Sequence, residues 1–320
     1  MSNLNNTSNK VLVVGAGAVG STFCYALAQS GLANEIVLID KNMNLARGQA
    51  LDLVHGQPFF PNVDIRTGTP ADYKDASVIV ITAGAAQKPG ETRLQLLQKN
   101  TAIMISIVDE INGQNSQAVL LIVSNPVDIL THVALKHSGW PKGRIIGSGT
   151  VLDSARLRHL LSRHCSVDVH NTHAYILGEH GDSEFAAWSM TNIAGIPIRA
   201  FCASCGRCAD WKKELDDIET AVRKSAYHII DYKGATCFGV GMALVRIVSA
   251  ILRKQRSVLT VSTYLDGEFG LSGLCLSVPA IVTENGAEKI MNINLTTEEM
   301  QALNRSAEIL KESMALLEHK

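Results

Sequence analysis

Apolar residues recur along this chain in two rhythms. Val11–Val14, Ser77–Thr82 and Ala118–Val123 are short, nearly continuous apolar runs with β-branched residues, the composition of strands covered on both faces. Between them the spacing becomes helical, first in an amphipathic stretch ending at about Ser30, followed by a second strand, Glu35–Ile39. The alternation lasts to about residue 150. Strands separated by helices predict a parallel, doubly wound sheet with right-handed crossovers, and such sheets bind ligands beyond the strand C-terminal ends. From Val151, V-L-D-S-A-R-L-R then reads as a helix, and an apolar strand-like run leads into G-E-H-G-D. Leu215 to about Ile230 is again helical. Val258–Leu265, Cys275–Val282 and Ala287–Ile293 read as strands of a twisted antiparallel sheet, with Asn285-Gly286 as a hairpin turn. Thr296 and Glu299 have capping-box spacing, and Met300, Leu303, Ala307, Leu310, Met314 and Leu317 form one stripe on the closing helix, a core or docking face.

Composition narrows the class. With 320 residues, 46% of them apolar, the chain can bury a sizeable core and divide into two lobes, which the absence of a proline- or serine-rich linker makes tightly joined. A net charge of -1 argues against a nucleic-acid partner, and the lack of an 18-residue apolar run argues against a membrane span. The first nine residues are polar, without the apolar centre of a signal peptide, and the seven cysteines are odd in number; both lead to the expectation of a reducing cytoplasmic location. F-C-A-S-C-G-R-C-A-D reads as a loop. Its Cys202, Cys205 and Cys208 could supply three thiolates, but without an evident fourth ligand they are expected to be surface thiols, and no metal site is expected.

The first strand runs into G-A-G-A-V-G, in which Gly15, Gly17 and Gly20 have the dinucleotide spacing. Two glycines permit a tight turn and close approach of a pyrophosphate to a helix N-terminus, and the third lets the helix pack on the strand. Asp40, at the end of the second strand, could accept hydrogen bonds from both ribose hydroxyls and would repel a 2′-phosphate, so NAD is expected rather than NADP. The fold expected is therefore α/β, a Rossmann-type doubly wound parallel sheet followed by an α+β substrate domain with an antiparallel sheet. Its divisions would be a flexible tail (1–9), an NAD-binding domain (10–150) and a catalytic domain (151–320). Two loops at strand ends carry further chemistry. G-A-A-Q-K-P-G-E-T-R, bracketed by Gly84 and Gly90, has the look of a lid that delivers Arg93, and S-N-P presents the uncharged amide of Asn125. Asp153 and Arg156, three apart on one helix, share a face and can address one small polar ligand. His180 can exchange a proton near neutral pH if a neighbour fixes its tautomer, and Asp153 is the candidate neighbour. The alternative is a turn-capping histidine beside a surface ion pair.

Taken together, Gly15 to Gly20, Asp40, A-Q-K-P-G-E-T-R, S-N-P-V-D, G-S-G-T-V-L-D-S-A-R-L-R, G-E-H-G-D and Y-K-G-A-T resemble the L-lactate dehydrogenase branch of the lactate/malate dehydrogenase family, in order, over nearly the whole chain. The resemblance implies His180 as proton donor and acceptor, Asp153 as its orienting partner, Arg156 as the fork for a substrate carboxylate and Arg93 as the lid residue that polarises a carbonyl. It implies contacts with substrate or nicotinamide from Asn125 and Thr236, and with cofactor from Val19, Gly84 and Val240. It also makes Gln87 the selector of substrate: malate dehydrogenases of the family carry arginine there, so a neutral amide implies pyruvate and L-lactate, with other 2-hydroxy acids as the alternative. Arg158 lies roughly 200° round the helix from Arg156 and so points elsewhere. In allosteric bacterial members an arginine and a histidine at the positions of Arg158 and His173 bind fructose 1,6-bisphosphate across a homotetramer interface, and the resemblance implies the same activator here.

Overall fold

A computed structural model describes residues 9–86, 90–206 and 210–318. Its first half alternates β1 (Lys10–Val14), α1 (Ala18–Ser30), β2 (Glu35–Ile39), α2 (Met43–His55), β3 (Asp64–Thr67), β4 (Val78–Ile81), α3 (Arg93–Gly113), β5 (Val119–Ile122), α4 (Val127–Ser138) and β6 (Ile145–Gly147). There follow α5 (Val151–Cys165), the two-residue strands β7 (Thr172–His173), β8 (Ile176–Leu177), β9 (Phe185–Ala186), β10 (Asn192–Ile193) and β11 (Ile196–Pro197), then α6 (Ile198–Cys205), α7 (Trp211–Lys233) and α8 (Phe238–Leu252). The chain closes with β12 (Ser257–Asp266), β13 (Ser272–Thr283), β14 (Gly286–Ile290) and α9 (Thr297–Glu318).

The expected architecture is present, with one addition. β1 to β6 pair in parallel, and every residue of β1, β4 and β5 is buried, which is why those segments read as unbroken apolar runs. The antiparallel strands do not stand apart. β12 pairs with β6 through Ser262 opposite Gly147, so one nine-stranded sheet runs β14-β13-β12-β6-β5-β4-β1-β2-β3. Phe23, Leu27, Ile247 and Val248 cover one face from α1 and α8, while Met104, Ile107, Leu130 and Ala134 cover the other from α3 and α4. The stripe on α9 buries Leu303, Ala307 and Leu310 against Leu274 and Leu276 of β13, below a Thr296–Glu299 capping box.

Four local readings are corrected. The helix expected from Leu215 to Ile230 runs further at both ends, because Asp210 caps it by accepting the Lys213 N–H and Gly234 stops it in the left-handed conformation. The last strand ends at Ile290, not Ile293. Phe201–Cys205 belongs to helix α6 rather than a loop, and Cys202 is buried with Leu157, Leu161 and Leu215, so it is a core thiol and not a surface one. Cys208 lies outside the described residues. Asn9, assigned to the tail, is tied in: its side chain donates to Leu32 O and its carbonyl accepts from Asn34 N–H. Cys24, Cys205, Cys237 and Cys275 are free thiols, and no described helix is long and apolar enough to cross a membrane.

Candidate active site

The glycine turn lies at the C-terminal end of β1. Gly15 adopts φ +109°, and its N–H donates to Ile39 O at 2.8 Å, drawing the turn onto β2. A Cβ on Gly20 would meet Gly15 O at 1.9 Å, so α1 can sit this close to the strand only with glycine there. A Cβ on Gly17, in contrast, would meet nothing within 4 Å, and the N-terminus of α1 has neither a side-chain cap nor an acidic residue in its first turn. That leaves backbone N–H donors facing space that an anion can enter. Asp40 follows β2, and its two oxygens accept from Ala16 N–H at 2.7 Å and Asn42 N–H at 2.8 Å, which hold the carboxylate in place with lone pairs left for hydroxyl donors. Val19 and Val240 are partly buried against the core formed in part by α1 and α8, and Thr236 is half-buried in the connection between α7 and α8. These groups fit a dinucleotide.

The reactive cluster forms where the other strands end. His180 stands three residues beyond β8, and its Nδ1 lies 2.8 Å from Asp153 Oδ2. The other Asp153 oxygen accepts from Arg156 at 2.6 Å. The Asp153 side chain is only 2% exposed, so this pair is buried, unlike the surface ion pair of the alternative reading. With Nδ1 committed to Asp153, Nε2 is left to exchange a proton, and Arg156 keeps further N–H donors for a carboxylate. Burial disfavours charge on His180, but the Asp153 charge and hydrogen bond outweigh it, and the imidazole pKa is raised to about 9. Burial likewise opposes ionisation of Asp153, yet His180 and Arg156 hold its pKa below the ordinary value. One imidazole and one guanidinium are thereby joined through a single carboxylate.

Arg93 is the first residue of α3 and is exposed; Thr92 caps the helix by accepting the Gln95 N–H while the Gln95 side chain accepts the Thr92 N–H. Arg93 lies near the His180 loop: the Tyr227 phenol is pushed up by its hydrogen bond to Asp182 and pulled back by the Arg93 charge. Asn125 is exposed in the loop before α4 and Gly84 in the loop after β4, and the two loops are linked, through Ala85 in the second, by a residue the sequence reading missed. Buried Asn100 accepts the Ala85 N–H at 2.7 Å and donates to Asn125 O at 3.1 Å. Gln87 lies outside the described residues. Two further carboxyls escaped notice. Asp128, quoted only as part of S-N-P-V-D, accepts the His180 N–H at 2.8 Å. Glu184 has an oxygen 3.9 Å from His180 Nδ1, and burial with the Asp153 charge raises its pKa to about 9. Its spacing of four from His180 was the available signal.

Arg158 and His173 do not join this cluster. They line a separate cavity of about 510 Å³ with Arg246, Met242 and Leu152, between α5, α8 and β12, where Arg158 Nε donates to Thr172 O at 2.9 Å. Arg156 and Arg158 thus point to different places, as the helical spacing requires.

Comparison with known proteins agrees with this geometry. Residues 9–147 match the lactate/malate dehydrogenase NAD-binding domain, and residues 150–320 match the α/β C-terminal domain of the same family. A relative named L-lactate dehydrogenase from Treponema denticola is 57% identical over 314 residues, covering 97% of this chain and 98% of that protein. One of the same name from Acetivibrio thermocellus is 51% identical over 316 residues, 99% of each. The crystal structure of a lactate dehydrogenase from a Medee basin deep-sea metagenome library superposes with a TM-score of 0.95 at 41% identity, covering 98% of this chain and 99% of that one. The ligand-bound minor L-lactate dehydrogenase of Enterococcus mundtii gives 0.95 at 42%, covering 98% and 100%. The cofactor is NAD and the enzyme an NAD-dependent oxidoreductase. By both family models and the length of these matches, the chain belongs to the lactate/malate dehydrogenase family.

Proposed function

We infer that this enzyme is an L-lactate dehydrogenase that reversibly reduces pyruvate to L-lactate. The observation carrying that reading is the hydrogen-bonded run from Arg156 through Asp153 to His180, with an imidazole protonated to about pH 9. NADH, when bound, supplies the hydride. His180 gives its proton to the developing alkoxide, and Asp153 keeps the ring oriented and stabilises its charged form. Arg156 grips the carboxylate through paired N–H donors, a geometry an ammonium cannot copy. Arg93 brings positive charge to the carbonyl oxygen, and Asn125 and Thr236 shape the pocket beside the nicotinamide. Gly15, Gly17, Val19, Gly20, Asp40, Gly84 and Val240 hold the cofactor, largely within residues 10–150, while 151–320 supplies the acid, its partner and the clamp.

Selection between oxo acids falls to Gln87. A neutral amide leaves the second carboxylate of oxaloacetate unpaired in a closed site, a penalty of several kcal/mol, or roughly a thousandfold in discrimination. The names of the relatives support pyruvate. Regulation is assigned to the cavity of Arg158 and His173, with fructose 1,6-bisphosphate as activator and a homotetramer as the active form. Cations gathered between subunits repel one another until a phosphate arrives, so the effector favours assembly. Met242 in this cavity is 62% exposed and Phe238 beside it on α8 is 71% exposed, apolar surface that a second subunit would cover. The free thiols of Cys24, Cys205, Cys237 and Cys275 support a reducing compartment, the cytoplasm.

NADH oxidation followed with pyruvate and with oxaloacetate, each with and without fructose 1,6-bisphosphate, tests these assignments. The expected result is a kcat/KM for pyruvate higher by about a thousandfold and a tighter pyruvate saturation curve with the effector. Equal or better use of oxaloacetate would make the enzyme a malate dehydrogenase of the same family, and an unchanged saturation curve would remove the activator.

A further inference from the structure

Asp128 is the second residue of α4 and only 2% exposed. One of its oxygens accepts the backbone N–H of His180 at 2.8 Å; the other accepts the hydroxyl of Ser262 on β12 at 2.5 Å and, at 3.4 Å, that of Ser277 on β13. Ser277 also exchanges two backbone hydrogen bonds with Gly178, at 3.0 and 3.2 Å. The loop bearing His180 is therefore pinned twice from below, at Gly178 by β13 and at His180 itself by Asp128. Asp153 holds only the ring, through Nδ1. A buried carboxylate is a costly way to fill this volume, and burial raises the Asp128 pKa to about 6 against the pull of Ser262 and the His180 N–H. What it offers is acceptor capacity on both sides at once, toward a backbone N–H that can only donate and toward two hydroxyls.

We propose that Asp128 is a positioning residue for proton transfer: it fixes the main chain from which the imidazole projects, as Asp153 fixes the ring. The inference rests on the role given to His180 above. A carboxyl group that acts only through the His180 main chain would then govern turnover without governing binding, because Arg156 and the glycine turn are held by other contacts.

The test compares Asp128→Ala and Asp128→Asn in the full chain by steady-state reduction of pyruvate and by fluorescence titration of NADH. In the Asn variant the amide oxygen still accepts the His180 N–H while the amide nitrogen donates to the hydroxyl oxygens, so kcat stays within about threefold of wild type. The Ala variant removes the pin at His180, leaving only the one at Gly178, and lowers kcat by on the order of 100-fold, the scale of an ångström-sized misplacement, with NADH affinity within about twofold. The Asn variant also reports charge. Asp153 from α5, Asp128 from α4 and Glu184 from the histidine's own loop face His180, and Glu179, His180 and Cys275 face Asp128, so removing one negative charge lowers the alkaline midpoint of kcat/KM. An Ala variant with wild-type kcat, one that loses NADH affinity in step with kcat, or an Asn variant as slow as Ala overturns the proposal. Should Ala fail to fold, Ser262→Ala carries the same test: kcat falls about tenfold with NADH affinity kept, or the proposal fails. Wild-type protein inert toward pyruvate would overturn the functional reading and this inference with it; active wild type beside an equally active Ala variant overturns this inference alone.

Discussion

His180 is surrounded by three carboxyl groups in different protonation states, and that imbalance sets its behaviour. Asp153 stays ionised, Glu184 is raised to about 9 and carries a proton at neutral pH, and the imidazole rises from 6.5 to about 9. Both raised groups bind protons more tightly folded than unfolded, so the stability they add falls as pH climbs. For His180 it is complete below 6.5 and lost toward about 9; for Glu184 the decline begins above 4.5. The melting temperature of the ligand-free protein, followed from pH 6 to 9.5, is expected to drop, and Asp153→Asn to flatten the His180 part of the drop. If Arg156 grips the substrate carboxylate as proposed, replacing its guanidinium by lysine removes one of two charge-assisted hydrogen bonds, and kcat/KM for pyruvate should fall by on the order of 100-fold. Steady-state kinetics on Arg156→Lys checks this. Asp153, Arg156 and His180 were legible because acid, clamp and base chemistry each demand a residue type, and two of the three sit at helical spacing. Asn100 and Asp128 were not, since each works by holding backbone that lies 15 or more residues away in the chain, Ala85 and Asn125 in one case and His180 in the other.

Elements were readable where one physical pattern dominates. β1, β4 and β5 are covered on both faces and leave unbroken apolar runs, and the glycine turn declares itself by its close approaches. Those approaches give a sharp expectation for Gly20→Ala. Its methyl group would sit 1.9 Å from Gly15 O, so α1 must move off β1, at a cost of about 3 kcal/mol in a denaturant melt and with weakened NADH binding. Wild-type stability and affinity in that variant would mean that the turn does not hold α1 against the strand. The junction of β12 with β6 could not be read, because alternation tells which face a strand buries and not which strand lies beside it. Cys202 was misplaced for a related reason: a thiol's polarity says little about its burial, which here comes from packing against α5 and α7.

At the scale of the molecule, residues 128, 153, 156 and 180 come from α4, α5 and the loop after β8; the nine-stranded sheet leads into α4 and α5 through β5 and β6, and the loop, which follows the separate β8–β9 pair, is tied to that sheet where Gly178 bridges Ser277 of β13. The cavity of Arg158 and His173 lies on the opposite side of α5, so one helix presents one arginine to the Asp153–His180 cluster and another to that cavity. Occupancy there can reach the reactive cluster through the helix that carries Asp153. Whether the convergence on His180 does the chemistry is read most directly from the pH dependence of kcat/KM for pyruvate in wild type and in Asp153→Asn. The wild-type value should be level up to about 9 and then fall roughly tenfold per pH unit, with the midpoint shifted downward and the rate reduced in the variant. A wild-type midpoint near the ordinary 6.5, or one that stays put when Asp153 becomes Asn, would contradict the assignment of His180 and Asp153.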